Sequence, residues 1–208
     1  MGVTAVVPAY NEEATVASVI ETLLDCPDVD EIIVVSDGSS DRTADVARRY
    51  PIRVIELHEN IGKGGAMKAG VEEARHDIIV FVDADLVGLR REHVAALIAP
   101  IQAGRAEMTV GVFEEGRLAT DLAQRITPFL SGQRALRRHV FERVPRVEDA
   151  RYGIEVALSR YADKHNVPVE IVQLKHLSQV MKEEKRGVVQ GFRDRMRMYW
   201  EIVKTVRS

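Results

Sequence analysis

Two carboxylates, Asp83 and Asp85, follow a run of apolar residues at positions 78–82. The run is typical of a short buried strand, whereas aspartate is among the residues that cost most to bury. With only Ala84 between them on a loop, both carboxylates can turn toward one point, where they repel each other unless a cation intervenes. Mg²⁺ is bound by one or two carboxylates together with phosphate oxygens and water. The spacing predicts a metal site, although one aspartate could instead cap the next segment while the other is solvated.

A glycine-rich stretch, NIGKGG at residues 60–65, surrounds Lys63. Glycines allow the backbone to approach a ligand closely, and a lysine beside a helix N-terminus supplies positive charge for a diphosphate. The stretch is not a Walker A loop, because Lys63 is followed by Gly64, and it does not follow the first strand as the dinucleotide fingerprint does. The alternative is a glycine-rich helix start with a surface lysine.

Residues suited to a nucleotide also follow the first two predicted strands. Asp37 stands in a tight turn, where its carboxylate could accept hydrogen bonds from a base or ribose, or serve the turn alone. Pro8, Ala9 and Tyr10 form an extended edge against which a flat base could lie.

Alternating apolar runs and amphipathic segments predict the elements that position these residues. Strands are expected at residues 3–7, 31–35, 53–57, 78–82 and 108–113, with helices between them, the first capped by Asn11. This alternation predicts an α/β fold with a mostly parallel sheet sandwiched by helices. Ligands bind beyond the carboxyl ends of such strands, and each polar cluster falls at one of these ends. We therefore expect the clusters to form a single site.

The second half of the chain has a looser pattern. Residues 114–144 are expected to be mostly helical, with a Pro/Ser/Gly interruption at 128–132, followed by a helix at 151–166, a strand at 169–174 and a charged loop. We divide the chain into residues 1–113, which hold the polar clusters, residues 114–186 of the same domain, and a C-terminal amphipathic helix at 187–208. That helix could pack on the domain, form a homodimer or touch an anionic membrane.

Composition narrows the class of protein. The 208 residues carry 29 Lys and Arg against 32 Asp and Glu, a net charge of −3, which argues against nucleic-acid binding. The single cysteine, Cys26, excludes an internal disulfide and fits a reducing cytoplasm. No apolar stretch approaches the roughly 18 residues of a membrane-spanning helix. We predict a cytoplasmic protein without a transmembrane segment, with peripheral membrane contact open.

Four segments, taken in order, resemble a known family: VVPAYNEEATV, IIVVSDGSSDRT, NIGKGGAMKAG and IIVFVDADL. Together they are similar to the nucleotide-sugar-binding half of family 2 glycosyltransferases with the GT-A fold, of the dolichyl-phosphate mannosyltransferase or glucosyl-3-phosphoglycerate synthase type. The resemblance implies a GT-A (Rossmann-like) fold with a C-terminal helical extension. It also implies transfer from a UDP- or GDP-linked sugar to a small phosphorylated or polyprenyl-phosphate acceptor, with Mg²⁺ or Mn²⁺ as cofactor.

The resemblance assigns roles on the donor side. The implied nucleotide-sugar pocket consists of Pro8, Ala9, Tyr10, Glu12, Asp37, Lys63, Asp83 and Ala84. Asp83 would contact the ribose or the metal, Asp85 would be the direct metal ligand, and His176 would complete the metal site unless it is structural. The family often has two consecutive acids where this chain has Ser36 and Asp37, so fewer contacts to the base are expected.

The resemblance is thinner on the acceptor side. FLSGQRALRR is similar to the segment of the family that contacts the acceptor or the transferred sugar, which implies roles for Ser131, Gly132, Gln133 and Arg134. The arginines of this segment could equally form a solvated helix face. Glu155 in YGIEVAL is implied as a catalytic base or sugar-hydroxyl partner, or it could cap or pair on a helix. An alcohol acceptor with inversion needs such a base, whereas a phosphate acceptor does not.

Three other functions fit part of the pattern. DADLVG matches the nucleophile motif of haloacid-dehalogenase-like phosphatases, with Asp83 as the nucleophile, but that family carries the motif on its first strand. A sugar-phosphate nucleotidyltransferase would need a glycine-rich basic N-terminal signature that MGVTAVVPAYNEE lacks. A catalytically silent nucleotide-sugar-binding module is disfavoured because Asp37, Lys63, Asp83 and Asp85 are all present.

Overall fold

The computed structural model describes residues 2–113, 131–147, 153–175 and 177–179. Its strands are β1 (Val3–Ala9), β2 (Glu31–Asp37), β3 (Arg53–Leu57), β4 (Ile78–Phe81), β5 (Leu86–Val87), β6 (Met108–Phe113), β7 (Arg134–Arg137), β8 (Val169–Leu174) and β9 (Ser178–Gln179). Its helices are α1 (Val16–Leu24), α2 (Thr43–Ala47), α3 (Lys63–Glu73), α4 (Arg91–Gln102), α5 (Arg138–Glu142) and α6 (Ile154–Lys164).

The main sheet has seven strands in the order β3-β2-β1-β4-β7-β6-β8. Strands β1 to β4 are parallel to one another, and β6 is parallel to β8. Among these seven strands β7 alone runs the other way, antiparallel to both of its neighbours, β4 and β6. Strands β5 and β9 form a separate antiparallel pair. The structure thus confirms the predicted α/β fold with a mostly parallel sheet.

Helices cover both faces of this sheet. Successive residues of β1 point to opposite faces, so Ala5 belongs to the core that includes α1 and α4, while Val6 belongs to the core that includes α3, α5 and α6. Both residues are fully buried. A strand that is covered on both sides reads as a continuous apolar run, which is why residues 3–7 carry no polar alternation beyond Thr4.

The prediction of a mostly helical stretch at residues 114–144 is confirmed at Arg138–Glu142 but was wrong just before it. Residues 114–130 lie outside the described residues, but Arg134–Arg137 is a strand in the interior of the sheet. Its two central side chains, Ala135 and Leu136, pack into the two opposite cores. A strand of four residues is too short to show its own periodicity, and its arginines conceal its burial.

The first helix also begins later than predicted. Asn11 has a positive φ of 56° and its side-chain oxygen accepts a hydrogen bond from the Ser40 backbone N–H, so it binds a neighbouring loop instead of capping a helix. Helix α1 begins at Val16 after a turn. The C-terminal helix predicted at 187–208 lies outside the described residues, and the division of the chain at residues 113 and 186 stays a prediction. None of the helices in the described part is long and apolar enough to cross a bilayer.

A buried carboxylate, that of Glu31, stabilises the sheet edge at which β2 begins. Its side chain is 5% exposed and accepts hydrogen bonds from Thr4 Oγ1 (2.7 Å) and from the backbone N (2.8 Å) and Nε (2.8 Å) of Arg75. Burial alone would raise the pKa of Glu31, but these hydrogen bonds and the Arg75 charge outweigh it and lower the pKa below its ordinary value. The ionised form therefore stabilises the fold.

We predict that Glu31→Gln lowers the free energy of unfolding by about 2 kcal/mol at neutral pH, because charged hydrogen bonds are lost. A lowered pKa gives stability that is present above the ordinary carboxyl pKa and is lost as the pH falls through the folded-state value. Urea unfolding should therefore show the difference from wild type shrinking below about pH 4. Glu72→Gln, at an exposed position on α3, is the control. A difference that is the same at acid and neutral pH would contradict this account.

Candidate active site

The loops that follow β1, β2, β3 and β4 meet at one edge of the sheet, which we call the rim. Because these strands are parallel, their carboxyl ends lie side by side. The structure thus brings the polar clusters to one edge, as the sequence predicted. Side-chain contacts link each of these loops to a neighbouring segment.

The loops after β1 and β2 are tied together by hydrogen bonds. Asn11 accepts from the Ser40 backbone N–H (2.8 Å), and its own N–H donates to Ser39 Oγ (3.2 Å). The Glu12 backbone N–H donates to Thr43 Oγ1 (2.8 Å) at the start of α2. The two loops therefore form one unit beside β1.

The predicted nucleotide-pocket residues of this part of the rim differ in exposure. Tyr10 is 41% exposed and presents a flat aromatic surface to solvent, whereas Pro8 is half-buried. Ala9 and Ala84 are 3% and 2% exposed and pack in the core, so their contact with a nucleotide stays a prediction. The Glu12 carboxylate accepts a hydrogen bond from the Thr15 hydroxyl (3.0 Å).

Asp37, which was predicted to contact a base, is 3% exposed. Its two carboxylate oxygens accept hydrogen bonds from the backbone N–H groups of Ile61 (2.8 Å) and Gly62 (3.0 Å). Asn60 also donates to the Asp37 backbone oxygen (3.2 Å). In this structure Asp37 holds the glycine-rich loop in front of α3, and its contact with a base stays a prediction.

The centre of the rim is an ion cluster of three residues, Lys63, Asp83 and Glu155. The ammonium nitrogen of Lys63 lies 2.6 Å from Asp83 Oδ1 and 2.7 Å from Glu155 Oε1. The three side chains are 27%, 14% and 16% exposed. Lys63 is the first residue of α3, Asp83 follows β4, and Glu155 lies in the first turn of α6. Three separate segments thus place charged groups around one point.

The charge of Lys63 is fixed by its partners. Burial lowers the pKa of its ammonium, but the nearby Asp83 and Glu155 carboxylates outweigh this effect, so that the pKa lies above its ordinary value. Lys63 is therefore a permanent cation at neutral pH. Such a group can stabilise negative charge that develops on a bound phosphate.

Gln133 and Arg134, which were predicted to contact the acceptor, have side chains that point into the protein. They are 2% and 1% exposed. Gln133 Nε2 donates to Asp83 Oδ2 (2.8 Å), and the Asp83 backbone N–H donates to Gln133 Oε1 (3.1 Å). This burial does not support acceptor contact through either side chain, and it also excludes the solvated helix face as an explanation of Arg134.

Arg134 supports the helix that carries Glu155. Its Nη2 donates to Ser159 Oγ (2.9 Å), which in turn donates to the Glu155 backbone oxygen (2.9 Å), and its Nε donates to Ser131 O (2.9 Å). Burial lowers the pKa of Arg134 to about 10, while the Glu155 charge acts in the opposite direction. The guanidinium thus joins the strand β7 to the start of α6 beneath the ion cluster.

Gly132 lies directly against the ion cluster. A Cβ atom built on this residue would overlap the Asp83 carboxylate and the Lys63 ammonium, so any side chain would displace one of them. The neighbouring Ser131 is half-buried and its hydroxyl donates to the Gly111 backbone oxygen. Gly132 is itself buried, and contact of Ser131 and Gly132 with the acceptor stays a prediction.

The residues predicted to bind metal are only partly described. Asp85 is half-buried in the turn after Asp83, and His176 lies outside the described residues. Within the described ranges, no group of three or more His, Cys, Asp or Glu could by itself hold a metal ion. Two carboxylates and the oxygens of a diphosphate are nevertheless the hard ligands that Mg²⁺ and Mn²⁺ prefer. The chemistry of the aspartate pair therefore fits a metal that is bound together with a phosphate ligand.

Sequence reasoning missed two features of this site. Gln133 was assigned to the acceptor side with the rest of its segment, and its contact with Asp83 was not anticipated. Ser159 was not singled out at all. The first depends on β7 lying beside β4, which brings residue 133 next to residue 83 across fifty positions of sequence, and the second on α6 lying next to Arg134. No local signal carries that pairing.

A family model described as "Glycosyl transferase family 2" matches residues 4–158 of this chain. The match spans the loops of the rim after β1, β2, β3 and β4, as well as Gln133, Arg134 and Glu155.

Curated relatives match shorter parts of the chain. A Drosophila melanogaster dolichyl-phosphate beta-glucosyltransferase is 43% identical over 96 compared positions, and the match covers 38% of this chain and 29% of the relative. A Rhizobium johnstonii dodecaprenyl-phosphate galacturonate synthase is 32% identical over 116 compared positions, and the match covers 51% of this chain and 34% of the relative. The matches therefore span about a third of the length of these relatives.

A solved structure matches more of the fold. Glucosyl-3-phosphoglycerate synthase from Mycobacterium tuberculosis, in complex with Mn²⁺, UDP and phosphoglyceric acid, superimposes with a TM-score of 0.71 and 27% identity. The match covers 86% of this chain and 70% of the synthase. The same synthase has also been solved with Mg²⁺ and UDP. This similarity confirms the predicted GT-A-like fold.

We predict that Lys63→Met lowers the free energy of unfolding by about 3 kcal/mol, because two partly buried carboxylates lose the cation between them. A raised pKa keeps the contribution of Lys63 complete below the ordinary lysine pKa, so the loss should be constant between about pH 6 and pH 9. Urea unfolding measures it, with Lys164→Met at an exposed position of α6 as the control. A Lys63→Met protein as stable as wild type would show that the cluster does not stabilise the fold.

Proposed function

The chain belongs to glycosyl transferase family 2, and we propose on this basis that it transfers a sugar from a UDP- or GDP-linked donor to a phosphorylated acceptor. The observation that carries the proposal is the ion cluster of Lys63, Asp83 and Glu155, which lies at the carboxyl ends of parallel strands. Ligands of open α/β sheets bind in this position.

The relatives support the classes of donor and acceptor. The mycobacterial synthase binds UDP and phosphoglyceric acid, and the names of the curated relatives refer to dolichyl-phosphate and dodecaprenyl-phosphate. We therefore propose two acceptor classes for this chain: a small phosphorylated molecule with a hydroxyl group, and a polyprenyl phosphate. Both carry a phosphate, which suits a rim that already holds a cationic lysine.

On the donor side, the leaving diphosphate gains negative charge as its bond to the anomeric carbon breaks. Lys63 is charged and is placed at the start of α3, where backbone N–H groups add positive potential. We assign Lys63 to the diphosphate and Asp83 to the ribose or the metal. Asp85 and, outside the described residues, His176 would hold a Mg²⁺ or Mn²⁺ ion, which when bound supplies Lewis-acid stabilisation of the diphosphate. Tyr10 would pack against the base.

On the acceptor side, we assign Glu155 the role of general base. Its carboxylate is half-buried in the first turn of α6 and accepts a hydrogen bond from the Lys63 ammonium at 2.7 Å. For a hydroxyl acceptor, Glu155 would take the proton as the oxygen attacks the anomeric carbon. A phosphate acceptor is already ionised and needs no base. Ser131 and the backbone of Gly132, at the edge of the same cluster, would contact the acceptor.

The place of action belongs to the same proposal. We propose a cytoplasmic enzyme that is free when its acceptor is small and peripheral to a membrane when its acceptor is a polyprenyl phosphate. Membrane contact or homodimer formation through residues 187–208 stays a prediction, and sedimentation with anionic liposomes distinguishes the two.

The alternative functions lose support. In the structure the Asp83 motif follows the fourth strand of the fold, not the first as in the phosphatases, and the ion cluster pairs Asp83 with Lys63. The family match removes the remaining basis for a nucleotidyltransferase. A silent binding module would bind the donor without transferring or hydrolysing it, which an assay of donor turnover detects.

We predict that UDP or GDP raises the midpoint of thermal unfolding only together with Mn²⁺. At a nucleotide concentration of a hundred times the dissociation constant, the gain in the free energy of unfolding should be about 2.7 kcal/mol. Asp85→Asn should abolish the metal-dependent part of this shift, because an amide oxygen carries no charge for the ion. Asp45→Asn, on the exposed surface of α2, is the matched control. If Asp85→Asn still binds the nucleotide in a metal-dependent way, Asp85 is not a ligand of the metal.

We predict that the effect of Glu155→Gln depends on the acceptor. With 3-phosphoglycerate, whose hydroxyl must lose a proton, transfer should fall by about 10²–10⁴-fold. With a polyprenyl phosphate the loss should be small, and binding of UDP with Mn²⁺ should be retained in both cases. Equal losses with both acceptors, measured as initial rates of transfer, would contradict the role of Glu155 as a base.

A further inference from the structure

We propose that Gln133 is a positioning residue for Asp83, and that it acts on donor binding rather than on the acceptor. This inference rests on the proposed function and deepens it. Gln133 Nε2 donates to Asp83 Oδ2 (2.8 Å), while Gln133 Oε1 accepts from the Asp83 backbone N–H (3.1 Å). One primary amide thus holds both the side chain and the main chain of a single aspartate.

Together, these two hydrogen bonds fix both the side-chain torsion and the backbone position of Asp83. Rotation of Asp83 about its first side-chain torsion would break the bond to Oδ2, and displacement of the loop would break the bond to the backbone N–H. The remaining oxygen, Oδ1, is held by Lys63 at 2.6 Å. Asp83 therefore presents its carboxylate in one orientation, although it lies on a loop beyond the end of β4.

Gln133 is itself anchored to the sheet. Its backbone oxygen accepts from the Gly111 N–H (2.8 Å) of β6, and its own N–H donates to Ser131 Oγ (3.3 Å). The next residue, Arg134, pairs with Phe81 at the end of β4. Through Gln133, the position of Asp83 thus depends on three neighbouring strands, β4, β7 and β6.

The two hydrogen bonds from Gln133 to Asp83 require a primary amide of this length. A glutamate could still accept from the Asp83 N–H, but it would place a carboxylate against the Asp83 carboxylate. A methionine of similar size could not donate to Asp83 Oδ2, and its sulfur is only a weak acceptor for the Asp83 N–H. The side chain is 2% exposed, so water does not readily replace either bond.

The experiment measures binding of UDP, and separately of GDP, with Mn²⁺ and without acceptor by isothermal titration calorimetry. We expect Gln133→Met to weaken binding of the nucleotide that wild type prefers by about 10–100-fold, the usual effect of removing a group that orients a ligand-holding side chain. Gln133→Glu should weaken it further. Gln173→Met, an exposed glutamine on β8, should bind like wild type.

Stability and structure separate positioning from a merely structural role. Urea unfolding of each variant gives the folded fraction, and a crystal structure of Gln133→Met should show Asp83 in a changed orientation. Should Gln133→Met fail to fold, Gln133→Asn takes its place, since its shorter amide cannot reach both positions. Reduced stability with an unchanged affinity of the folded protein would overturn the inference.

The outcomes also separate this inference from the proposed function. If wild type binds neither nucleotide with Mn²⁺, the proposed function fails and this inference fails with it. If wild type binds and Gln133→Met binds equally well, the inference alone is overturned, and the hydrogen bonds of Gln133 to Asp83 have only a structural role.

Discussion

The rim depends on one electrostatic constraint: a partly buried cation must lie between two carboxylates that would otherwise repel each other. Lys63 meets this constraint at 2.6 Å from Asp83 and 2.7 Å from Glu155. The three residues come from the start of α3, the end of β4 and the start of α6. Since each contact fails if its segment moves, the ion cluster fixes the two halves of the chain relative to each other at the point where substrates are proposed to meet.

A second layer of polar groups surrounds this cluster. Asp37 holds the loop that precedes Lys63, Gln133 holds Asp83, and Arg134 supports the helix of Glu155 through Ser159. Asp37, Gln133 and Arg134 are all buried, and the side chain of each binds main-chain atoms. The orientation of the charged groups therefore comes from the backbone of the sheet and of the loops that it anchors.

Much of the first half was predictable because its signals are local. Continuous apolar runs such as residues 78–82 indicate strands that are covered on both faces, and polar residues directly after them must lie at the rim. The strand Arg134–Arg137 in the second half could not be predicted in this way, because it forms only by pairing with its neighbours β4 and β6. The contacts of Asp37 and Gln133 escaped prediction for a related reason: sequence indicates that a polar residue reaches the rim, but not whether it faces a ligand or a neighbouring loop.

The reversed direction of β7 has a consequence for variation of this fold. Strand β6 ends at the rim with Phe113, and residues 131–133, which lead into β7, lie beside the ion cluster. A replacement of residues 114–130 alone keeps both strands as well as Gly132 and Gln133. Exchange of residues 114–130 between homologous enzymes is thus expected to give chimeras that retain Lys63, Asp83 and Gln133.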